Sequence, residues 1–293
     1  MNERIWTIGR ILKWTEGFFK EKGMESPRLD AEVLLSHVLQ KQRIYLYVHF
    51  DEPLQPEELA AYREMIKKRA MHVPVAYILG EREFMGLTFK VTEDTLIPRP
   101  DTEILVQAAI DRLQKIKDAH PQPLTFADIG TGTGAVCLSV LHYVPEAAAE
   151  TVDISPTARA VAEENARALD LTGRIVFHTG DLLEPLAGRK FTAILSNPPY
   201  IPEADIKTLA PEVRTKEPRT ALSGGRDGLD FYRRLAEEAP EILESGGFMA
   251  FEVGIHQARD VADLCTANPL IGQTEILPDY AGIDRVVVAW KKE

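Results

Sequence analysis

The chain of 293 residues has only two cysteines, Cys137 and Cys265. Each sits in an apolar helical pattern, so buried free thiols are expected. A disulfide framework or thiolate metal site is not, and a reducing cytoplasm fits. No run of about eighteen uncharged apolar residues occurs, which excludes a membrane-spanning helix. The stretch Met1–Thr7, with Glu3, Arg4 and Trp6, lacks the apolar core of a secretory signal. Nor is it the Arg- and Ser-rich, acid-poor start of a transit peptide. The histidines (His37, His49, His72, His120, His142, His178 and His256) are scattered, with no pair at ligand spacing. No metal is expected. Internal repeats and low-complexity segments are also missing.

What is present is an ordinary apolar fraction of 45 %, enough for a globular core. The net charge is −11 and uneven. Up to Lys90 there are 14 basic and 13 acidic side chains, a balance of +1; the rest has 20 and 32, a balance of −12. So acidic a second part repels a phosphate backbone over much of its surface, which argues against nucleic acid as a partner.

The first part reads as helices. Thr7–Lys20 carries an apolar stripe (Ile8, Ile11, Leu12, Trp14, Phe18, Phe19). Ser26-Pro27 starts a second helix running to Leu39, and Gln55-Pro56-Glu57-Glu58 a third ending near Ala70. Core or partner-facing packing is the default for Trp6 and Trp14. Lys67-Lys68-Arg69 reads as a solvated helix face. From Glu83 to Val91 alternation with a Gly break predicts a hairpin or extended connector. The expected organisation is a helical bundle over residues 1–76, a hairpin linker over 77–98 and an α/β domain over 99–293.

In that domain, short apolar runs alternate with helical patterns. The predicted strands are Leu124–Ile129, Glu150–Ile154, Ile175–His178, Phe191–Ser196, Phe248–Val253, Glu275–Leu277 and Arg285–Ala289. Helices are predicted over Ala135–Tyr143, Pro156–Leu169, Leu229–Leu243 and Ile255–Ala267. Repeated β-α units imply a doubly wound sheet.

The first of these strands runs into Asp128-Ile129-Gly130-Thr131-Gly132-Thr133-Gly134. Such glycines let a backbone turn sharply and approach a ligand. Asp153 ends the next strand, where a carboxylate can accept from ribose hydroxyls. The loop alone also satisfies a loose dinucleotide fingerprint, so a nicotinamide oxidoreductase stays open at this point. The plain alternative is a strand–helix turn without a ligand. The third strand ends in Gly180-Asp181-Leu182 and the fourth in Ser196-Asn197-Pro198-Pro199-Tyr200. Asp128, Asp153, Asp181 and Asn197 are therefore expected to converge on one cleft.

Asn-Pro-Pro-Tyr suits methyl transfer to a planar nitrogen. An amide or exocyclic amine has a delocalised lone pair and is a poor nucleophile. A site helps by accepting its N–H bonds, here with the Asn197 oxygen and the Pro198 carbonyl. Two prolines stiffen the loop and remove competing donors. Tyr200 is expected to pack over the target group. Catalysis would come mostly from positioning.

These residues together resemble the HemK/PrmC family of glutamine N5-methyltransferases. The likeness runs over nearly the whole chain. Besides Asp128–Ala135, Val152–Pro156 and Asn197–Tyr200 it includes Arg99-Pro100-Asp101-Thr102-Glu103 and Glu217-Pro218-Arg219-Thr220-Ala221-Leu222. It also includes Gly224-Gly225-Arg226-Asp227-Gly228-Leu229, Glu252-Val253-Gly254 with Gln257, and Asp279–Arg285. The resemblance implies a seven-stranded Rossmann-like class I methyltransferase sheet (fold class α/β) behind a small helical domain that helps hold a protein substrate. It implies S-adenosyl-L-methionine as methyl donor, S-adenosyl-L-homocysteine as product, and the glutamine of the Gly-Gly-Gln loop of class 1 peptide chain release factors as substrate.

By the same resemblance Asp128 and Asn197 are among the cofactor-binding residues, and Gly130, Thr131, Gly132, Thr133 and Gly134 line the donor's methionine part. Asp153 holds its ribose, and Asp181 and Leu182 flank its adenine, Leu182 standing where the family often has an aromatic. Asn197 and Pro198, within the catalytic Asn197, Pro198, Pro199 and Tyr200, orient the amide. Arg99 and Glu103 either shape the entrance or form an ion pair at the linker. A cytoplasmic monomer without nucleic acid or membrane contact is the expectation. The rivals are an amine methyltransferase acting on DNA or RNA bases, the oxidoreductase, and a donor-binding module without catalysis.

Overall fold

The computed structural model describes residues 5–119 and 123–293, so Glu3, Arg4 and His120 lie outside it. The chain forms two compact units, one of residues 1–80 with 210–216, the other of residues 81–209 and 217–293.

In the first unit, Thr7 caps α1 (Ile8–Glu21), its hydroxyl accepting the Arg10 N–H. Pro27 opens α2 (Pro27–Leu39), which ends where Gln40 turns left-handed at φ 51°. After α3 (Arg43–Val48), a capping box between Gln55 and Glu58 starts α4 (Pro56–Ala70), followed by α5 (Val75–Leu79). Both side chains of a capping box satisfy amides the first turn would leave bare. Phe19, Leu34, Leu35, Leu46 and Tyr62 fill the core. Trp14 stacks on Phe18 at 5.3 Å and stays half exposed. Arg69, read from sequence as part of a solvated face, is instead 4 % exposed. It pairs with Asp30 and with Glu212 of the short helix Pro211–Lys216. A buried guanidinium persists only where carboxylates compensate it.

The second unit opens with the hairpin β1 (Glu81–Phe84) and β2 (Leu87–Lys90). The sequence reading sets this hairpin apart as a linker. Its Phe84 and Phe89 are in fact buried in the core of the sheet unit. Next comes α6 (Glu103–Ala119), which the sequence reading leaves unassigned; it buries Leu105, Val106, Ala109, Ile110 and Leu113 at helical spacing. Then follow β3 (Leu124–Ile129), α7 (Ala135–Tyr143), β4 (Ala147–Asp153), α8 (Pro156–Ala168), β5 (Ile175–Thr179) and β6 (Phe191–Ser196). With Pro211–Lys216 counted as α9, the chain closes with α10 (Asp230–Ile242), β7 (Leu243–Glu252), α11 (Ala258–Ala267), β8 (Ile271–Pro278) and β9 (Asp284–Lys291).

The seven-stranded sheet has the order β5-β4-β3-β6-β7-β9-β8. β3 to β7 pair parallel, and β9 runs antiparallel between β7 and β8. Successive side chains point to opposite faces. Phe126, Leu195 and Phe248 pack in one core with α6 and α7, and Ala127, Ile194 and Met249 in another with α10 and α11. Covered on both faces, β6 is buried along its whole length, and its sequence is mostly apolar. Cys137 and Cys265 are buried and free. The strand order reverses at β3, with β4 on one side and β6 on the other. A crevice opens at the carboxyl ends of the strands at such a point.

Candidate active site

The glycine loop is bent as its composition demands. Gly130, Gly132 and Gly134 have φ of 78°, 56° and 81°, a region closed to most side chains. Asp153 ties the loop to β4, accepting the Gly132 N–H at 2.8 Å and the Ser155 N–H at 2.9 Å. Burial raises the Asp153 pKa, and these N–H groups pull it back. A Cβ on Gly134 would lie 2.9 Å from the Leu138 side chain. It would also lie 3.3 Å from Ala162 of α8, so that glycine lets the start of α7 pack closely.

A cleft of about 480 Å³ lies over the strand ends. Of the residues singled out from sequence, Gly130, Gly132, Asp153, Asp181, Leu182, Asn197, Pro198 and Pro199 line it. Asp128, Thr131, Thr133, Gly134 and Tyr200 do not. Thr131 is buried, its hydroxyl donating to the Val152 carbonyl at 3.3 Å. Thr133 is buried and its carbonyl accepts from Asn165 at 2.8 Å. Asp128 sits beneath the loop, 1 % exposed, accepting the Cys137 N–H. Its Oδ2 has no partner among the described residues. Burial pushes its carboxyl up to about 7. A carboxylate stripped of water without a full set of donors favours its neutral form.

Asp181 is bound by Arg234 of α10 at 2.9 and 3.1 Å. Leu182 holds a left-handed φ of 46°. The cleft does contain an aromatic ring, Phe231 on α10, which the sequence reading misses. The only available signal is its place on the first turn of a predicted helix. Asp94-Thr95-Leu96 and Pro218-Arg219-Thr220-Ala221 complete the wall. Arg99 pairs with the buried Glu217, which also accepts the Ile97 N–H at 3.4 Å. Glu103 accepts the Met85 N–H at 3.0 Å. Arg99 and Glu103 thus bind different partners.

Segments far apart in sequence brace Asn197–Tyr200. The Ile201 N–H donates to the Leu222 carbonyl, and the Gly224 N–H to the Ile201 carbonyl. A Cβ on Gly224 would sit 2.7 Å from the Pro199 carbonyl oxygen and 2.8 Å from the Tyr200 Cα. Gln257 donates to the Tyr200 carbonyl at 2.9 Å while its own oxygen accepts the Gly254 N–H. Tyr200 packs against the core beneath α10 and α11, its hydroxyl 3.5 Å from Glu252. Asn197 Nδ2 donates to Thr102 Oγ1 at 3.2 Å. Its Oδ1 has no partner among the described residues, so the acceptor end of the amide is open.

Sheet order, glycine loop and Asn-Pro-Pro-Tyr at the end of β6 define a class I methyltransferase fold. Residues 107–226 match the methyltransferase small domain, and residues 10–80 the PrmC N-terminal domain. The chain is 46 % identical to the release factor glutamine methyltransferase of Geobacter sulfurreducens, over 97 % of this chain and 96 % of the relative. It is 45 % identical to the enzyme of the same name from Moorella thermoacetica, over 92 % and 94 %. A methyltransferase structure from Pyrococcus furiosus shares the fold at 16 % identity, with a TM-score of 0.51 over 71 % of this chain and 90 % of that one. The chain belongs to the release factor glutamine methyltransferase family. No helix among the described residues is long and apolar enough to cross a membrane.

Proposed function

We propose that this protein transfers a methyl group from S-adenosyl-L-methionine to the side-chain amide nitrogen (N5) of the glutamine in the Gly-Gly-Gln loop of class 1 peptide chain release factors. The observation that carries the chemistry is the Asn197 amide in the wall of the cleft, its donor end engaged by Thr102 and its oxygen without a partner among the described residues. The near full-length identity to release factor glutamine methyltransferases supports the substrate. A cytoplasmic monomer that needs neither nucleic acid nor a metal completes the reading.

The cleft suits the donor on three counts. Its volume is that of a small-molecule site. Gly132 has open space where a Cβ would stand, and the Asp153 carboxylate borders the same cavity. Leu182 and Phe231 add apolar wall where an adenine needs it. When bound, the sulfonium supplies an electrophilic methyl group. Asn197 Oδ1 and the Pro198 carbonyl accept the two amide N–H bonds and hold the nitrogen in line. A donor held there would give up its methyl group to the nitrogen and leave as the neutral thioether, and the nitrogen's extra proton would pass to water. Orientation of this kind supplies roughly 7–11 kcal/mol of barrier lowering.

The test is incubation with methyl-labelled donor and a class 1 release factor, a copy with alanine in place of the Gly-Gly-Gln glutamine, DNA and tRNA. Label on the native factor alone, lost with Asn197→Ala, is the expected result. Label on nucleic acid would overturn the substrate and favour the base-methylating alternative.

A further inference from the structure

Behind Asn197 lies a buried polar chain outside the family's Asn-Pro-Pro-Tyr segment. Thr102, 4 % exposed and immediately before α6, accepts from Asn197 Nδ2. Thr102 also faces the Glu252 carboxylate at the end of β7 and helps to pull its pKa down. Glu252 is 1 % exposed, and its Oε2 has no partner among the described residues. The groups facing it are Tyr200, Tyr232, Arg285 and Asp101. Tyr232 donates to the Glu252 backbone carbonyl, not the side chain. Arg285 is engaged by Asp279 at 3.1 Å and Asp101 at 3.3 Å.

We propose that Thr102 and Glu252 are positioning residues: they fix the direction of a relay that holds Asn197 with Nδ2 turned inward and Oδ1 presented to the amide being methylated. Proton counting alone sets that direction. An ionised carboxylate only accepts, so Thr102 spends its single hydroxyl proton on Glu252. Only lone pairs of Oγ1 then face Asn197, and only the NH2 end of that amide satisfies them. Without that direction the amide is free to turn over and offer N–H groups to a substrate nitrogen that needs acceptors. A partner-free carboxylate oxygen so deeply buried carries a solvation cost. A role in directing the relay accounts for its retention. Burial also pushes the Glu252 carboxyl up to about 7, with Thr102, Arg285 and Tyr200 pulling it down and Asp101 adding to the rise. Below that pH the acid donates to Thr102, the threonine hydroxyl is released, and either end of Asn197 is tolerated.

The functional consequence rests on the methyltransferase reading above, so the experiment has two arms. In steady-state methylation of the release factor, Thr102→Val should lower kcat at least tenfold with donor affinity unchanged within twofold. Thr102→Ser should recover it to within threefold. Native kcat should fall as pH drops through about 7, and Glu252→Gln should remove that dependence. The second arm needs no substrate. The Nδ2 proton resonances of Asn197, assigned by their loss in Asn197→Asp, should titrate near neutral pH in the native protein, not titrate in Glu252→Gln, and move toward the positions of a free side-chain amide in Thr102→Val. Native kcat in Thr102→Val, or Asn197 resonances indifferent to both substitutions, would overturn the relay. A native protein that fails to methylate the factor while its Asn197 resonances behave as stated would overturn the substrate and keep the relay.

Discussion

Asp128 makes the sheet unit's stability depend on pH in an unusual direction. Its carboxyl stands at about 7, against an ordinary value of 3.8, because it is buried. Between those two values the folded state binds a proton that the unfolded state does not. Stability therefore falls as pH rises through that window and levels off above about 7. From pH 5.5 to pH 8 the loss from this one group is roughly 2 kcal/mol. Asp128→Asn cannot ionise, so it should lack that portion of the slope and be the more stable protein at pH 8 relative to pH 5.5. Urea denaturation at several pH values measures this. The readout should be Trp290, which packs on the core of this unit, with Trp6 and Trp14 of the helical unit replaced by phenylalanine. Equal slopes for the native protein and the Asp128→Asn variant between pH 5.5 and 8 would refute the protonation of Asp128 in the folded state near neutrality.

Three further outcomes are expected. Gly224→Ala forces a methyl group against the Pro199 carbonyl and Tyr200 backbone; kcat should fall about tenfold or more, for a stability cost of about 1–3 kcal/mol, read by kinetics and melting on the same samples. Asp153→Ala removes the carboxylate beside the glycine loop and should weaken S-adenosyl-L-methionine binding by roughly tenfold to a hundredfold, the worth of a charged hydrogen bond, in titration calorimetry. Phe84→Ala should cost the sheet unit about 3–5 kcal/mol, measured by urea denaturation, because the hairpin is part of that core; a loss under about 1 kcal/mol, well below the usual cost of emptying such a site, would return it to the status of a linker.

Local pattern was enough for much of this protein. Strands buried on both faces are largely apolar, and the predicted Phe191–Ser196 matches β6 residue for residue. The glycine loop and Asn-Pro-Pro-Tyr were visible because backbone conformation and planar hydrogen bonding need those residue types next to one another. α6 has regular apolar spacing, but the tight turn Pro100–Thr102 runs directly into it and leaves no separate start signal in the sequence. The helix Ile255–Ala267 begins three residues later than expected, at Ala258, since His256 takes a left-handed φ of 72°.

What the sequence determined by itself was the β-α alternation, the position of the cleft at the strand ends, and the residue types that border it. Tertiary structure alone decided which of those residues face the cleft. Period-two alternation and loop curvature bury Asp128 and turn Tyr200 toward Glu252, while Phe231 enters from a helix roughly thirty residues beyond Asn-Pro-Pro-Tyr, about the length of one β-α unit. It also decided the partners: Thr102 meets Asn197 across 95 residues of chain, and Arg99 meets Glu217 across 118. No periodicity spans such distances. Those contacts exist because the parallel sheet brings the ends of β6 and β7 side by side and sets the start of α6 above them.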